Sequence, residues 1–319
     1  MKKFFKIIGI IILLVVLIIG GFVSFVAIRG VPKYEVNMPA IPNVEITPER
    51  VERGAKIASM LCQNCHWNKE TQKLTGNTMY EIPEFGTINS KNITNDKEAG
   101  IGKWTDGQLI YFIRTGINPF TGQYVPIYMP KLIHISDEDM RSIIAYLRSD
   151  KSEVQANKTE LPDSKPSFLT KFLCTVAFKP NEYPKAPIAD PDTNNQLEWG
   201  KYLTLYQLEC YACHSKSFEK LDMQNPEKSE GFFGGGNSMT APDGSKITSL
   251  NLTPDEETGL GKWTEEQFQN ALRNGIVPNQ PALREPMMPF VYLTESEVQA
   301  IYTYLRTVPK LTNKISRGL

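Results

Sequence analysis

Two short clusters carry residue types able to do chemistry together. Cys62-Gln63-Asn64-Cys65-His66 and Cys210-Tyr211-Ala212-Cys213-His214 share the pattern C-x-x-C-H. Two thiols roughly one helical turn apart can each add across one vinyl group of a haem, and the histidine that follows then lies under the iron. The thiols become thioethers and cease to be redox groups. A zinc site built from the two C-x-x-C pairs, or a thioredoxin-like dithiol, leaves the histidine after each second cysteine without a role. The residues therefore predict two covalently bound c-type haems (haem c), one on Cys62, Cys65 and His66, the other on Cys210, Cys213 and His214.

Haem iron takes a sixth ligand, and methionine opposite histidine raises the reduction potential into the respiratory range. Met129 and Met288 stand 63 and 74 residues after His66 and His214, and each precedes a proline. A methionine before proline is ordinarily a packing residue. Occurrence at the same place in two copies of one pattern points instead to ligation, so the predicted iron ligands are His66, Met129, His214 and Met288. Met287 adjoins Met288 and is the weaker candidate, while His134 would give a bis-histidine site of lower potential. Trp104 and Trp263 are expected either to pack on the haems or simply to fill the core. Arg114 and Arg273 would pair with haem propionates or sit on solvated helix faces. Cys174 has no partner thiol in either motif and reads as a buried free thiol.

The elements that position these residues form an internal repeat. Asn92-Ile93-Thr94-Asn95-Asp96 leads to Gly100-Ile101-Gly102-Lys103-Trp104-Thr105, and Asn251-Leu252-Thr253-Pro254-Asp255 leads to Gly259-Leu260-Gly261-Lys262-Trp263-Thr264, at a constant offset of 159 residues. Arg114-Thr115-Gly116-Ile117 maps onto Arg273-Asn274-Gly275-Ile276, and Tyr146-Leu147-Arg148 answers Tyr304-Leu305-Arg306 with one residue lost. Thr105 with Gln108 and Thr264 with Gln267 are capping boxes, Ser136 and Thr294 open a last helix in each copy, and Thr47-Pro48-Glu49 starts a first one. The expected fold is all-α, with two tandem domains over residues 47–150 and 195–311. The second copy has 11 more residues between His214 and Asn251, read as a flexible surface loop or a docking loop.

Ile7 to Ile28 is an uncharged run of 22 residues. As a helix it would cross about 30 Å of hydrocarbon, longer than a signal-peptide core, and no A-x-A-like cleavage site ends it. Residues 1–30 are thus expected to be an uncleaved anchor. Lys2, Lys3 and Lys6 before it, against Arg29 and Lys33 after it, set the amino terminus inside and the rest on the periplasmic side of the cytoplasmic membrane. Residues 31–46, with Pro32, Pro39 and Pro42, read as an extended stalk; 151–194 as a proline-punctuated linker with a short helix near Phe168 to Phe178; 312–319 as a tail. Lys plus Arg and Asp plus Glu are each 35, and no basic patch argues for nucleic acid.

The ordered set C-x-x-C-H, N-[IL]-T-x-D, G-[IL]-G-x-W-T, R-x-G, M-P and Y-L-R resembles the cytochrome c subunits of bacterial membrane alcohol, gluconate and sorbitol dehydrogenases. The resemblance covers roughly 47–150 and 195–310. It implies cytochrome c domains in which Cys62, Cys65, His66 and Met129, then Cys210, Cys213, His214 and Met288, hold haem. Those subunits carry three haem motifs where this chain has two. The function expected is electron carriage between a quinol-oxidising complex or periplasmic dehydrogenase and a terminal oxidase or another cytochrome. The alternatives are a dihaem enzyme, a peroxidase or sulfur-compound oxidoreductase with one iron open to substrate, and a subunit that anchors and wires a catalytic partner.

Overall fold

The computed structural model describes residues 2–126 and 128–315. Met1, Ile127 and residues 316–319, the end of the expected tail, lie outside the described residues. The chain opens with α1 (Lys2–Arg29), a helix long and apolar enough to cross a membrane. The first copy contains α2 (Pro48–Leu61), α3 (Gln63–His66), β1 (Thr78–Met79), β2 (Gly86–Asn89), α4 (Asp106–Thr115) and α5 (Asp137–Leu147). After it come β3 (Lys165–Pro166) and α6 (Phe168–Val176). The second copy contains α7 (Gln196–Lys201), α8 (Cys210–His214), β4 (Ser238–Thr240), β5 (Lys246–Thr248), α9 (Glu265–Asn274) and α10 (Glu295–Leu305). Helices dominate, but a strict all-α description is too narrow: β1, β2 and β3 form an antiparallel sheet and β4 with β5 a hairpin. These short strands pair backbone groups of long loops that have no helix to satisfy them.

In each copy the first and last helices cross at a glycine. A methyl built on Gly54 of α2 would overlap the Ser142 carbonyl oxygen of α5, and one on Gly200 of α7 would overlap the Ala300 carbonyl oxygen of α10. The Cβ atoms of Tyr146 and Tyr304 flank the same contacts. Only a residue without a side chain lets two backbones approach so closely. Around the crossings Ile57, Ala58, Ile143, Ile144 and Leu147, then Leu203, Val298, Ile301 and Leu305, are buried in one apolar cluster that runs through both copies.

Thr47, Ser136, Thr105, Thr264 and Thr294 cap their helices by accepting a backbone N–H three residues on, and the last three complete reciprocal boxes with Gln108, Gln267 and Glu297. Gly116 and Gly275 close α4 and α9 in the left-handed conformation, at φ of 75° and 73°. The N-[IL]-T-x-D stretch is a self-bonded loop. Asn92 Oδ1 accepts from the Thr94 N–H at 2.8 Å and Asn251 Oδ1 from the Thr253 N–H at 2.9 Å. Each amide's NH2 then donates to a carbonyl of the segment that follows its copy's last helix, Asn157 at 2.7 Å and Leu311 at 2.7 Å.

Between glycine and first attachment cysteine the second copy holds two extra residues: Gly54 precedes Cys62 by eight positions and Gly200 precedes Cys210 by ten. A π-helical turn over Tyr202–Gln207 and a left-handed Glu209 absorb them.

The copies share a buried polar seam. Asp139, fully buried at the start of α5, is paired with Arg53 at 2.5 Å and accepts from Tyr202 Oη at 2.5 Å and Gln207 Nε2 at 2.7 Å. Lys56 of α2 meets Glu297 of α10 at 2.5 Å, and the Tyr80 hydroxyl donates to Glu285. Residues 31–46 are extended but do not stand free as a stalk. Tyr34 N–H donates to Gly122 O at 2.8 Å, Val44 N–H to Asp106 Oδ2 at 2.9 Å, and Ile41 and Val44 pack on the core. Two branched apolar side chains gain more from this burial than from an unattached tether.

Gly54→Ala and Gly200→Ala are each expected to lower stability by about 1–3 kcal/mol, because neither carbonyl can move without its helix. Denaturant midpoints at unchanged slope would show it, and a loss below a few tenths would mean that the helices part freely. Asn92→Ala and Asn251→Ala, which leave buried acceptors and donors unmade, are expected to cost about 1–3 kcal/mol each by the same measurement.

Candidate functional site

Cys62 ends α2 and Cys65 lies in α3, so both thiols occur on one continuous helical stretch that ends at His66. In the second copy all three residues lie in α8. Burial pushes the thiols up, to about 12 for Cys62 and Cys210 and about 11 for Cys65 and Cys213. Among the described residues no group of three or more His, Cys, Asp or Glu side chains converges, so the two C-x-x-C pairs are not drawn together as one zinc centre.

The histidines share one orientation device. His66 Nδ1 is 2.6 Å from the Lys91 carbonyl oxygen, and His214 Nδ1 is 2.8 Å from that of Leu250. With Nδ1–H donated to a carbonyl, Nε2 keeps its lone pair for a metal. Burial also pushes both imidazoles down, favouring the neutral form that ligates. Lys91 and Leu250 stand at the repeat offset, yet sequence reasoning misses them, because a backbone carbonyl carries no residue signature. Gly76 and Gly235 belong to the same device. Their N–H groups donate to the His66 and His214 carbonyls, both at 2.9 Å, and a Cβ on either would strike the strand behind, at Ser90 or at Ser249 and Leu250. The donor set therefore fits haem c in both copies.

The two copies meet beyond the first attachment site, where the Thr240 N–H donates to the Glu81 carbonyl at 3.1 Å and the Tyr80 hydroxyl to Glu285. The 11 extra residues of the second copy lie between His214 and Gly235 and help to make this junction. His134 Nε2 is 3.3 Å from the Met223 carbonyl oxygen, its ring leans on Tyr206 at 4.9 Å, and Gln224 Nε2 donates to Asn181 at 2.9 Å. The longer loop thus reaches across to the first copy.

The methionines differ. Met129 lies half-buried in a turn where its N–H meets the Pro126 carbonyl at 3.2 Å. The ammonium of Lys131, only 1% exposed, donates to the carbonyls of Pro126 and Met129, the latter at 2.5 Å. Burial pushes Lys131 down to about 7 and Glu209 of the second copy up to about 8, and each is drawn back by the other's charge. In the second copy Met287 packs against the core while Met288 is 44% exposed. Backbone bonding pairs Met129 with Met287, whose N–H meets the Arg284 carbonyl at 3.0 Å, whereas the M-P dipeptides pair Met129 with Met288.

Other expectations are refined. Arg114, 1% exposed, is not on a solvated face. Its Nη atoms donate to the carbonyls of Leu132, Ile133 and Ile135 and to Asp137 at 2.8 Å, tying the segment after Met129 to α5. Arg273 lies 3.6 Å from Glu295. Trp104 meets Phe112 and Phe120 edge-on at 5.4 and 5.1 Å, and both tryptophans pack on the core. Cys174 is fully buried in α6.

Comparison with known proteins agrees with this geometry. The family model described as Cytochrome c matches residues 51–151 and 203–309. The fructose dehydrogenase cytochrome subunit of Gluconobacter japonicus is 29% identical over 81% of this chain and 52% of its own length. The cytochrome c subunit of the quinone alcohol dehydrogenase of Gluconacetobacter polyoxogenes is 27% identical over 81% of this chain and 56% of its own. The gluconate 2-dehydrogenase cytochrome c subunit of Pantoea cypripedii is 29% identical over 86% and 63%. The chain thus spans little more than half the length of these relatives. Two matched regions, each with a C-x-x-C-H helix whose histidine is held through Nδ1, place the chain in the cytochrome c family.

Proposed function

We propose that this protein is a membrane-anchored dihaem cytochrome c that passes single electrons on the periplasmic side of the cytoplasmic membrane. Its donor would be a dehydrogenase or quinol-oxidising complex and its acceptor an oxidase or another cytochrome. The observation that carries the reading is the pair of equivalent attachment helices, each ending in a histidine whose Nδ1 is held by a backbone carbonyl, at 2.6 and 2.8 Å. Haem c supplies one-electron exchange between ferric and ferrous iron. The chain's own residues fix the rest: four thiols attach, His66 and His214 ligate through Nε2, and the buried seam around Asp139 keeps the copies in one relative position. The names of the relatives favour a dehydrogenase as partner. His134, the residue a dihaem enzyme would need beside an open iron, is turned to the Met223 carbonyl, which favours the carrier.

Met129 and Met288 are the proposed sixth ligands. Met287, partly buried, already packs against the core, so Met288 is the side chain left to reach an iron. Met288→Leu is expected to abolish one of two methionine-dependent long-wavelength bands of the ferric protein and to lower one potential, with Met287→Leu leaving both. The opposite pattern would make Met287 the ligand and the backbone register the better guide. Covalent haem should number two in each variant, and a single haem in the native chain would overturn the dihaem reading.

Lys131 positions Met129 rather than touching haem. Lys131→Met removes the donor shared by the Pro126 and Met129 carbonyls. The expected result is a weakened band and a shifted potential for the first haem alone. An unchanged spectrum and potential in a folded variant would show that the turn holds itself.

A further inference from the structure

The helix α6 is amphipathic in the wrong sense for a surface helix of a water-soluble domain. Its inward face carries Thr170 and Cys174, both fully buried, and Thr170 Oγ1 donates to the Phe85 carbonyl at 2.7 Å. Leu173 joins this face and packs, with Tyr128 beside Met129, on the cluster of Ile82, Phe85 and Ile88. The outward face is apolar: Phe168, Leu169 and Val176 are 45%, 38% and 51% exposed. Residues 168, 172 and 176 follow one another at a spacing of four, so Phe172 lies on the same side.

Phe172 is where this face meets α1. Its ring stands edge-on to Phe22 at 6.2 Å, and Phe168 stacks on Phe172 at 6.4 Å. Phe22 precedes Arg29, the end of α1, by seven residues, or about 10 Å along a helix. A bilayer that covers the apolar length of α1 therefore reaches the level of α6. Lys171 within the helix and Lys179 just beyond it have stems long enough to carry their ammonium groups toward lipid phosphates. The strap over residues 31–46, bonded to Gly122 and Asp106, holds the first copy close to the end of α1.

We propose that α6 is an interfacial helix whose Phe168–Leu169–Phe172–Val176 face lies in the headgroup and acyl boundary of the bilayer that α1 crosses. The first copy then rests on the membrane, with the Tyr128–Met129 turn one side-chain layer above the lipid. The inference rests on the reading of α1 as an anchor, and the continuity of the two apolar surfaces through Phe22 and Phe172 argues for lipid as the occupant.

The test uses the full haem-loaded chain reconstituted in phosphatidylcholine and phosphatidylglycerol vesicles. Leu169→Cys and Val176→Cys carry an environment-sensitive fluorophore, alongside Ile12→Cys in the anchor and Leu197→Cys, exposed in the second copy. The unmodified chain, whose spare thiol is buried, is the blank. Acyl-brominated lipid is expected to quench labels at 12, 169 and 176 severalfold more than at 197, and aqueous iodide to do the reverse. If 169 and 176 behave like 197 while 12 is quenched by lipid, the interfacial helix is overturned and the anchor stands. If 12 is also quenched only by iodide, the anchor reading fails and takes the inference with it.

Discussion

A histidine presents one ring nitrogen to a metal reliably only when the other is held. In both copies the holder is a backbone carbonyl, of Lys91 or Leu250, within 2.8 Å of Nδ1. Much of each domain follows from placing that carbonyl. Gly76 and Gly235 bend the chain back onto the carbonyl of the same histidine at positive φ, 96° and 68°. The strand after them then runs behind the imidazole into Asn92 or Asn251, whose side chain locks the next turn. Keeping this path in two copies while loops around it change length is what a fixed metal geometry demands.

Differences between the copies concentrate at their junction. The extra residues after His214 reach His134 in the first copy and Asn181 in the linker, and the π-turn before Cys210 delivers Tyr202 and Gln207 to Asp139. A buried carboxylate with an arginine, a phenol and an amide around it is stable only if all partners stay. That requirement makes the relative placement of the copies as determinate as the interior of either one. For electron exchange between two fixed groups, a constant separation matters more than affinity, and an interlocked polar seam provides it.

The repeat makes the helices legible: capping boxes at Thr105, Thr264 and Thr294 and the apolar faces of α5 and α10 are local patterns with a local cause. Attachment residues are legible because covalent chemistry restricts residue type. What the sequence hides is of two kinds. Backbone partners such as the Lys91 and Leu250 carbonyls have no side-chain signature, and Gly54 and Gly200 look like ordinary helix interruptions until the crossing helix is in place. Residues 31–46 are extended, as read, but their contacts with the first copy are not legible, because proline frequency reports the absence of helix, not the absence of contact; Ile41 and Val44 hold the clue. Arg114 is hidden for a related reason, since its partners are carbonyls made available only by the fold.

The adjacent methionines show where register alone fails as a guide. The dipeptide M-P aligns Met288 with Met129, while the turn's backbone bond aligns Met287 with it. Both alignments are physically sound, because one residue is lost between the copies and the loss can be taken up anywhere in a loop without regular hydrogen bonding. Packing breaks the tie. A partly buried side chain packed against the core, as Met287 is, loses those contacts on departing, whereas the more exposed thioether of Met288 forfeits less by turning to a metal. The ligand is therefore expected to be the methionine that the protein's own interior does not need.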